Sequence, residues 1–224
     1  MKNLLFKELR LSVPAQAWVY FALVACVLIP GWPPIVGLFY VTVSVMIIFP
    51  IAHANRDALF TALLPVRKED AVKGKVVLIS FLELASFVVA VPLLLVREFL
   101  INPALSNDPE AAEMLIGSEV NFALIGAAFF MYGAFNLVFF PWYYKKASRG
   151  VVPQLVSMFV VMIIMVLYIG ITMGSPEISS AINDFTFPGI FIQLGVCLFG
   201  ILFFFGATAL ASRLGGKAFA KLDL

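Results

Sequence analysis

Long runs of apolar residues, separated by short polar stretches, dominate the chain. A helix that crosses a lipid bilayer needs about 20 mostly apolar residues. The runs predict six such helices, at residues 15–29, 35–51, 73–95, 120–142, 151–173 and 188–210. We therefore expect an all-α integral membrane protein in which residues 1–224 form a single transmembrane domain.

The polar stretches predict smaller elements between these spans. On a helix, residues 1–13 would carry Met1, Leu5 and Leu9 on one side, with Lys7 and Arg10 on the other. This pattern favours a helix lying in the membrane interface, although a plain extension of the first span fits it equally well. The longest predicted extracellular loop is 97–119, and the sequence Ser-Pro-Glu at 175–177 indicates a short helix before the last span. Residues 211–224 are expected to form a tail.

The distribution of basic residues predicts the orientation. Of 15 Lys and Arg residues, 14 fall in the N-terminus, the second and fourth loops and the tail, and only Arg97 falls on the opposite side. Lys and Arg concentrate in cytoplasmic loops because their translocation is disfavoured. We therefore expect a multi-pass membrane protein with both termini in the cytoplasm.

Composition supports a lipid environment and excludes several kinds of protein. The chain is 62% hydrophobic and 12% charged, with a mean hydropathy of +1.04, whereas soluble domains are about half apolar and a quarter charged. Six spans leave no room for a soluble catalytic domain. The sequence contains no phosphate-binding G-x-x-x-x-G-K-[ST] loop, and its single His excludes an H-E-x-x-H metal site. We expect no catalytic residue, cofactor site or metal site, and no nucleic-acid partner.

A polar segment at 53–70, between the second and third predicted spans, suggests a short amphipathic helix on the cytoplasmic surface. Asn55 or Asp57 can cap this helix, and Pro65 would close it. Its apolar side would carry Leu59, Phe60, Leu63 and Leu64, with Arg56, Asp57 and Thr61 facing the other way. Such a helix can merely seat the two neighbouring spans, or it can be the docking element for a cytoplasmic partner.

The same segment carries a resemblance to a known family. The stretch 63–75, Leu-Leu-Pro-Val-Arg-Lys-Glu-Asp-Ala-Val-Lys-Gly-Lys, is similar to a motif of small six-span ABC-2 type transporter permeases. Lys68 and Lys75 take the motif's basic position and its lysine, while Arg67 stands where a serine is usual. The opening Leu-Leu-Phe-Lys-Glu-Leu-Arg at 4–10 also resembles the interfacial helix of that family. The motifs cover about thirty residues, and the topology and size agree along the chain.

This resemblance implies a function and partners. Permeases of this family form dimers and are driven by separate cytoplasmic ATPases, which bind ATP and Mg²⁺ and grip the loop between the second and third spans. By this resemblance the chain would be a non-catalytic permease subunit, a homodimer in the membrane lipid, that exports amphipathic peptides such as phenol-soluble modulins or lantibiotics, or another hydrophobic cargo. The residues expected to couple it to the ATPase are Asn55, Arg56, Asp57, Leu59, Phe60, Thr61, Pro65 and Lys68.

One acidic residue is predicted inside the membrane. Glu83 lies eight positions after Lys75, about 12 Å along a helix. A carboxylate at that depth is costly, so it is expected to be neutral, paired or in contact with a wet cavity. Ser80 and Ser86 lie on the same stripe of the helix. We take Ser80, Glu83, Ser86 and Asn136 as candidates for a translocation pathway, the alternative being a structural hydrogen bond from Glu83 to Asn136, Gln154 or Gln193.

Small residues in the fourth predicted span suggest close contact with another helix. Ala123, Gly126, Ala127, Gly133 and Ala134 lie near one face, and small side chains allow helix backbones to approach each other. Packing within one protomer is the favoured interpretation.

Two other functions remain open from the sequence. The chain could be a six-span substrate-capture subunit of a small-solute uptake system, which would need a polar pocket near the outer surface. It could also be a non-transport membrane protein, such as an assembly or immunity factor.

Overall fold

The computed structural model describes residues 13–55, 67–109, 115, 119–145 and 151–221, and the regular secondary structure in these ranges is helical. Five of the helices are long and apolar enough to cross a membrane, and a shorter apolar helix precedes them. The protein is therefore an all-helical, membrane-embedded chain. The helices are α1 (Ala15–Ala22), α2 (Ile35–Ala54), α3 (Lys68–Val96), α4 (Asn102–Leu105), α5 (Phe122–Lys145), α6 (Val151–Gly174), α7 (Pro176–Asn183) and α8 (Gly189–Ala220).

The first predicted span, 15–29, is helical over 15–28, but it is not a uniform α-helix. After α1, the chain continues as a 3-10 helix over Leu23–Leu28. The two segments together reach about 24 Å, whereas an unbroken α-helix of the same 14 residues would reach roughly 21 Å. The segment then ends at Pro30, and Gly31 adopts a positive φ of 75°. Pro followed by such a glycine is typical of a type II turn, which leads the chain into α2.

The third predicted span extends beyond its expected end. Residues 97–105, which were expected to open an extracellular loop, continue the helix as a π-helical turn, Arg97–Ile101, and then as α4. Pro103 gives the physical reason for the π-helical turn. In an α-helix its ring would clash with the carbonyl of Phe99, and the wider π turn that precedes it relieves such a clash.

The last helix also runs further than expected. Part of the predicted tail, 211–220, belongs to α8, which has 32 residues and is therefore about 48 Å long. Ala211, Gly215 and Phe219 are buried at successive turns of this extension. Since a buried face stabilises a helix, contacts with α3 and α5 explain why the chain stays helical beyond the apolar run.

Helices α5 and α8 form the most extensive helix pair among the described residues. Their backbones touch where Gly126 faces Gly200, because a Cβ at Gly200 would overlap the carbonyl oxygen of Gly126. A Cβ at Gly133 would lie 2.9 Å from the Cα of Phe204. The small residues of the fourth span therefore pack within one chain, as the sequence predicted.

Helix α6 lies at the periphery and is fastened to α2 by a side chain. Pro50, inside α2, has no N–H for the carbonyl of Met46 one turn earlier. The side chain of Gln154 donates to that oxygen at 3.1 Å. This contact satisfies the carbonyl that the proline leaves without a partner.

The short helix predicted from Ser-Pro-Glu at 175–177 is present as α7.

Candidate functional site

One end of the helix bundle gathers the segment predicted to bind an ATPase. Helix α2 ends at this end and α3 begins there, on either side of residues 56–66. The ends of α5 and α8 lie beside the start of α3: a Cβ at Gly216 would be 3.5 Å from Glu69, and one at Gly215 would be 3.3 Å from Val72. The start of α3 is thus in direct contact with α8. We call this the basic end, since every Lys and Arg of the described chain except Arg97 lies here.

Most of the predicted coupling residues lie outside the described residues. Arg56, Asp57, Leu59, Phe60, Thr61 and Pro65 all belong to 56–66, and so does most of the predicted coupling helix. The interfacial helix predicted at 1–13 also lies outside the described chain, apart from its last residue. Of the coupling set, Asn55 and Lys68 are described.

The two described coupling residues mark helix ends. Asn55 closes α2, with its N–H bonded to the carbonyl of Ile51 at 3.0 Å. Lys68 is the first residue of α3, and Arg67 is its N-cap residue. The side chain of Arg67 makes no capping hydrogen bond, and arginine lacks the short oxygen-bearing side chain that caps a helix N-terminus. Glu69 and Asp70 place negative charge in the first turn of α3, where the helix dipole favours it.

An aromatic cluster lies directly beneath the basic end. Phe49, near the end of α2, stands 4.4 Å from Phe139 and 4.9 Å from Tyr143, measured between ring centroids. Tyr144 extends the contacts to Phe219 of α8 at 5.3 Å. Aromatic pairs at these distances add to the stability gained by burial. The cluster therefore joins α2, α5 and α8 at the end where the coupling segment is attached.

Deeper in the bundle, Glu83 lies in a group of polar side chains that connects three helices. Its side chain is fully buried. Asn136 of α5 donates from Nδ2 to Glu83 Oε2 at 2.8 Å and to Thr208 Oγ1 of α8 at 3.1 Å. Glu83 Oε1 and Asn136 Oδ1 are both buried without a hydrogen-bond partner.

A second set of hydrogen bonds adjoins the first and reaches α2. Ser86 donates to the backbone carbonyl of Glu83 at 2.6 Å and lies 3.2 Å from the hydroxyl of Tyr132. Tyr132 in turn donates to the carbonyl of Leu38 at 2.9 Å. We call Glu83, Ser86, Tyr132, Asn136 and Thr208 the polar layer. It links α2, α3, α5 and α8 at one level of the bundle.

The polar layer contains three of the four residues proposed from sequence as pathway candidates. Glu83, Ser86 and Asn136 lie together, whereas Ser80 is apart and bonds to the carbonyl of Val76 on its own helix. The expected alternative partners of Glu83 are used elsewhere: Gln154 binds Met46, and Gln193 binds the backbone of Phe122 and Asp184. All three candidates in the layer face neighbouring helices of the same chain and are buried there.

Sequence reasoning missed two members of the polar layer. Tyr132 is surrounded in sequence by apolar residues, and Thr208 lies in a small-residue stretch of the last helix. One general signal was present: a tyrosine inside an apolar span needs a partner for its hydroxyl. The partner could not be read from the sequence because Leu38 is 94 residues away.

At the opposite end of the bundle, Arg97 is the one described basic residue that breaks the charge pattern, and it is fully buried. Its guanidinium donates to the carbonyl of Val27 at 2.7 Å and to that of Trp32 at 3.0 Å. Val27 lies in the last turn of the 3-10 segment, where carbonyls lack intrahelical partners. Arg97 therefore fastens the end of the first apolar helix to α3.

No protein-family model, curated protein or solved structure matches this chain.

Proposed function

We propose that this chain is the membrane-spanning permease subunit of an exporter driven by a separate ABC-type ATPase. In this proposal all six apolar helices cross the bacterial cytoplasmic membrane and both termini lie in the cytoplasm. The basic end then faces the cytoplasm, and the ATPase grips residues 53–70. The family resemblance of 63–75 supports this reading.

The observation that carries the proposal is the position of α3. This helix begins at Lys68, inside the segment 53–70 and five residues before the predicted start of the third span, and it runs without interruption past Glu83. Its first turns contact α8 at Gly215 and Gly216. Rigid secondary elements and packed side chains can carry coupling between distant sites. An ATPase that moves the segment 56–66 would therefore move the polar layer of the bundle.

The outer surface of the chain is consistent with a second copy and with lipid as neighbours. Few residues of α6 and α8 are buried within the chain, and their outward faces expose large apolar side chains, among them Phe159, Leu167, Phe199 and Phe205. We propose a homodimer whose cargo is an amphipathic peptide or another hydrophobic molecule, as the resemblance implies. ATP and Mg²⁺ belong to the partner ATPase.

Affinity purification in mild detergent, from cells that also express the neighbouring genes, tests the proposal. We expect a P-loop ATPase to co-purify with the wild-type chain. Asp57→Lys and Phe60→Asp should each reduce its recovery at least about tenfold, which corresponds to a loss of about 1.4 kcal/mol or more in binding free energy. Both changes alter surface contacts of the predicted coupling helix.

The matched control is Glu177→Lys, which reverses a charge on α7 at the end of the helix bundle opposite the basic end. Its side chain is exposed, and the recovery of ATPase should be unchanged. If the wild-type chain recovers no ATPase, the proposal is wrong. Equal recovery with all three variants would show that the ATPase binds somewhere other than the coupling segment.

A further inference from the structure

The buried pair of Glu83 and Asn136 lacks one hydrogen-bond donor. An ionised carboxylate can only accept hydrogen bonds, and so can the oxygen of an amide. Both N–H groups of Asn136 are used, one by Glu83 Oε2 and one by Thr208 Oγ1. Glu83 Oε1 and Asn136 Oδ1 are left as two buried acceptors without a donor.

The neighbouring side chains do not supply the missing donor. Ser86 gives its hydrogen to the carbonyl of Glu83, and Tyr132 gives its hydrogen to the carbonyl of Leu38. Among the described side chains, Asn136 donates the one hydrogen bond that the Glu83 carboxyl accepts, and Glu83 Oε1 has no hydrogen-bond partner there. The groups that face the carboxyl from the adjoining helices, namely Asn136, Tyr132 and Thr208, are all uncharged at neutral pH.

The orientation of the amide does not change this conclusion. The oxygen and nitrogen of an Asn side chain are assigned from the surrounding hydrogen bonds. Exchanging the two atoms in Asn136 would place its oxygen 2.8 Å from Glu83 Oε2. Two acceptors at that distance require a proton between them.

We propose that Glu83 is a proton-binding site and carries a bound proton in the folded protein. The proton resides on Oε1 and is donated to Asn136 Oδ1, while Asn136 Nδ2 donates back to Oε2. The two side chains then form a reciprocal acid–amide pair in which each group is both donor and acceptor. One proton, taken up from water, satisfies both orphaned oxygens and removes a charge from a site shielded from solvent.

The bound proton completes the hydrogen bonding between Glu83 of α3 and Asn136 of α5, and Asn136 also donates a hydrogen bond to Thr208 of α8. The polar layer is thus held together in its protonated form. Loss of the proton leaves a buried carboxylate without a cation, which favours separation of the helices or entry of water. This inference rests on the hydrogen-bond pattern and does not depend on the proposed transport function.

Infrared spectroscopy of the protein purified in a detergent that contains no ester groups, at neutral pH, tests the proposal directly. A protonated carboxyl has a C=O stretching band that is separate from the bands of carboxylates and amides. We expect one such band in the wild-type protein, and isotope-labelled glutamate should shift it. Glu83→Gln, which places an amide of the same shape in the pair, should abolish the band with a change in melting temperature of only a few degrees.

Two further variants assign the band to the pair of Glu83 and Asn136. Glu177→Gln removes an exposed carboxyl and should leave the band unchanged. The double variant Glu83→Gln with Asn136→Asp reverses the acid–amide pair, and it should restore a protonated-carboxyl band that labelled glutamate no longer shifts. Neither result requires the protein to transport anything.

The proposal is overturned if the folded wild-type protein shows no protonated-carboxyl band at neutral pH. It is also overturned if Glu177→Gln removes the band. A melting temperature that rises with sodium but not with potassium at equal ionic strength, and that loses this dependence in Glu83→Gln, would show that a metal cation occupies the pair in place of the proton.

Discussion

At the scale of single residues, Arg97 makes the clearest prediction of stability. Its guanidinium satisfies two backbone carbonyls, those of Val27 and Trp32. Arg97→Met leaves both carbonyls without this donor, and we expect the free energy of unfolding to fall by about 2–4 kcal/mol. Arg97→Lys lacks the forked geometry needed to reach both oxygens, so its loss should be intermediate. Thermal unfolding in detergent measures both values.

The matched control for Arg97 is Arg213→Met. Arg213 is also an arginine on a long helix, but its side chain is exposed at the basic end. Surface substitutions of this kind usually change stability by less than about 0.5 kcal/mol. If Arg97→Met and Arg213→Met lower stability equally, the two carbonyl contacts of Arg97 do not stabilise the fold.

Glu83 and Arg97 show how much of the candidate site could be predicted from the sequence. An acid in an apolar span predicts a partner, and Asn136 was among three candidates for Glu83. Its selection depends on how α3 and α5 are rotated against each other, which is set by contacts far apart in sequence. Likewise, the charge rule identified Arg97 as an exception, but only the fold places Val27 and Trp32 beside it.

At the scale of helices, the contact between α5 and α8 makes a prediction about glycine. A Cβ at Gly200 would overlap the backbone of Gly126, so Gly200→Ala must move the two helices apart. We expect the free energy of unfolding to decrease by about 1–3 kcal/mol, the usual cost of overpacking. Denaturation of the purified protein measures this change.

Gly206→Ala, on the same helix, provides the control. Nothing lies within 4 Å of a Cβ at Gly206. Because alanine favours a helix more than glycine does, this variant should be neutral or more stable by about 0.5–1 kcal/mol. Opposite signs for Gly200→Ala and Gly206→Ala would support the close contact of α5 with α8, whereas two stabilising substitutions would contradict it.

The helices also show where sequence reasoning stops. Apolar runs alone predicted α2, α5 and α6 to within a few residues, because lipid selects for long uninterrupted hydrophobic stretches. The same rule ended the last span at residue 210 and the third at 95, where polar residues begin. The chain stays helical beyond both points because contacts stabilise it. Gly215 and Phe219 are buried in the extension of α8, and Arg97 is buried in the π-helical turn that follows α3.

At the scale of the whole molecule, the short first helix decides whether six spans or five cross the membrane. Ala15–Leu28 reaches about 24 Å, somewhat less than the roughly 30 Å of a bilayer's hydrocarbon core. Its 3-10 segment lengthens it, and Arg97 fastens its far end to α3. We therefore expect this helix to span a locally thinned bilayer, a known response to a short hydrophobic segment.

Cysteine accessibility tests both the span count and the orientation. In a background with Cys26→Ala and Cys197→Ala, Ser180→Cys on α7 should react with a membrane-impermeant maleimide in intact cells. Lys221→Cys, at the far end of α8, should react only after the membrane is permeabilised. Asn3→Cys should behave like Lys221→Cys if the first helix crosses, because six spans put both termini on one side.

Two other outcomes would correct this topology. If Asn3→Cys and Ser180→Cys both react in intact cells, the chain has five membrane spans, and the segment 53–70 is still in the cytoplasm. If Lys221→Cys reacts in intact cells and Ser180→Cys does not, the orientation is the opposite of the one proposed. The basic end would then lie outside the cell, where no cytoplasmic ATPase could reach it.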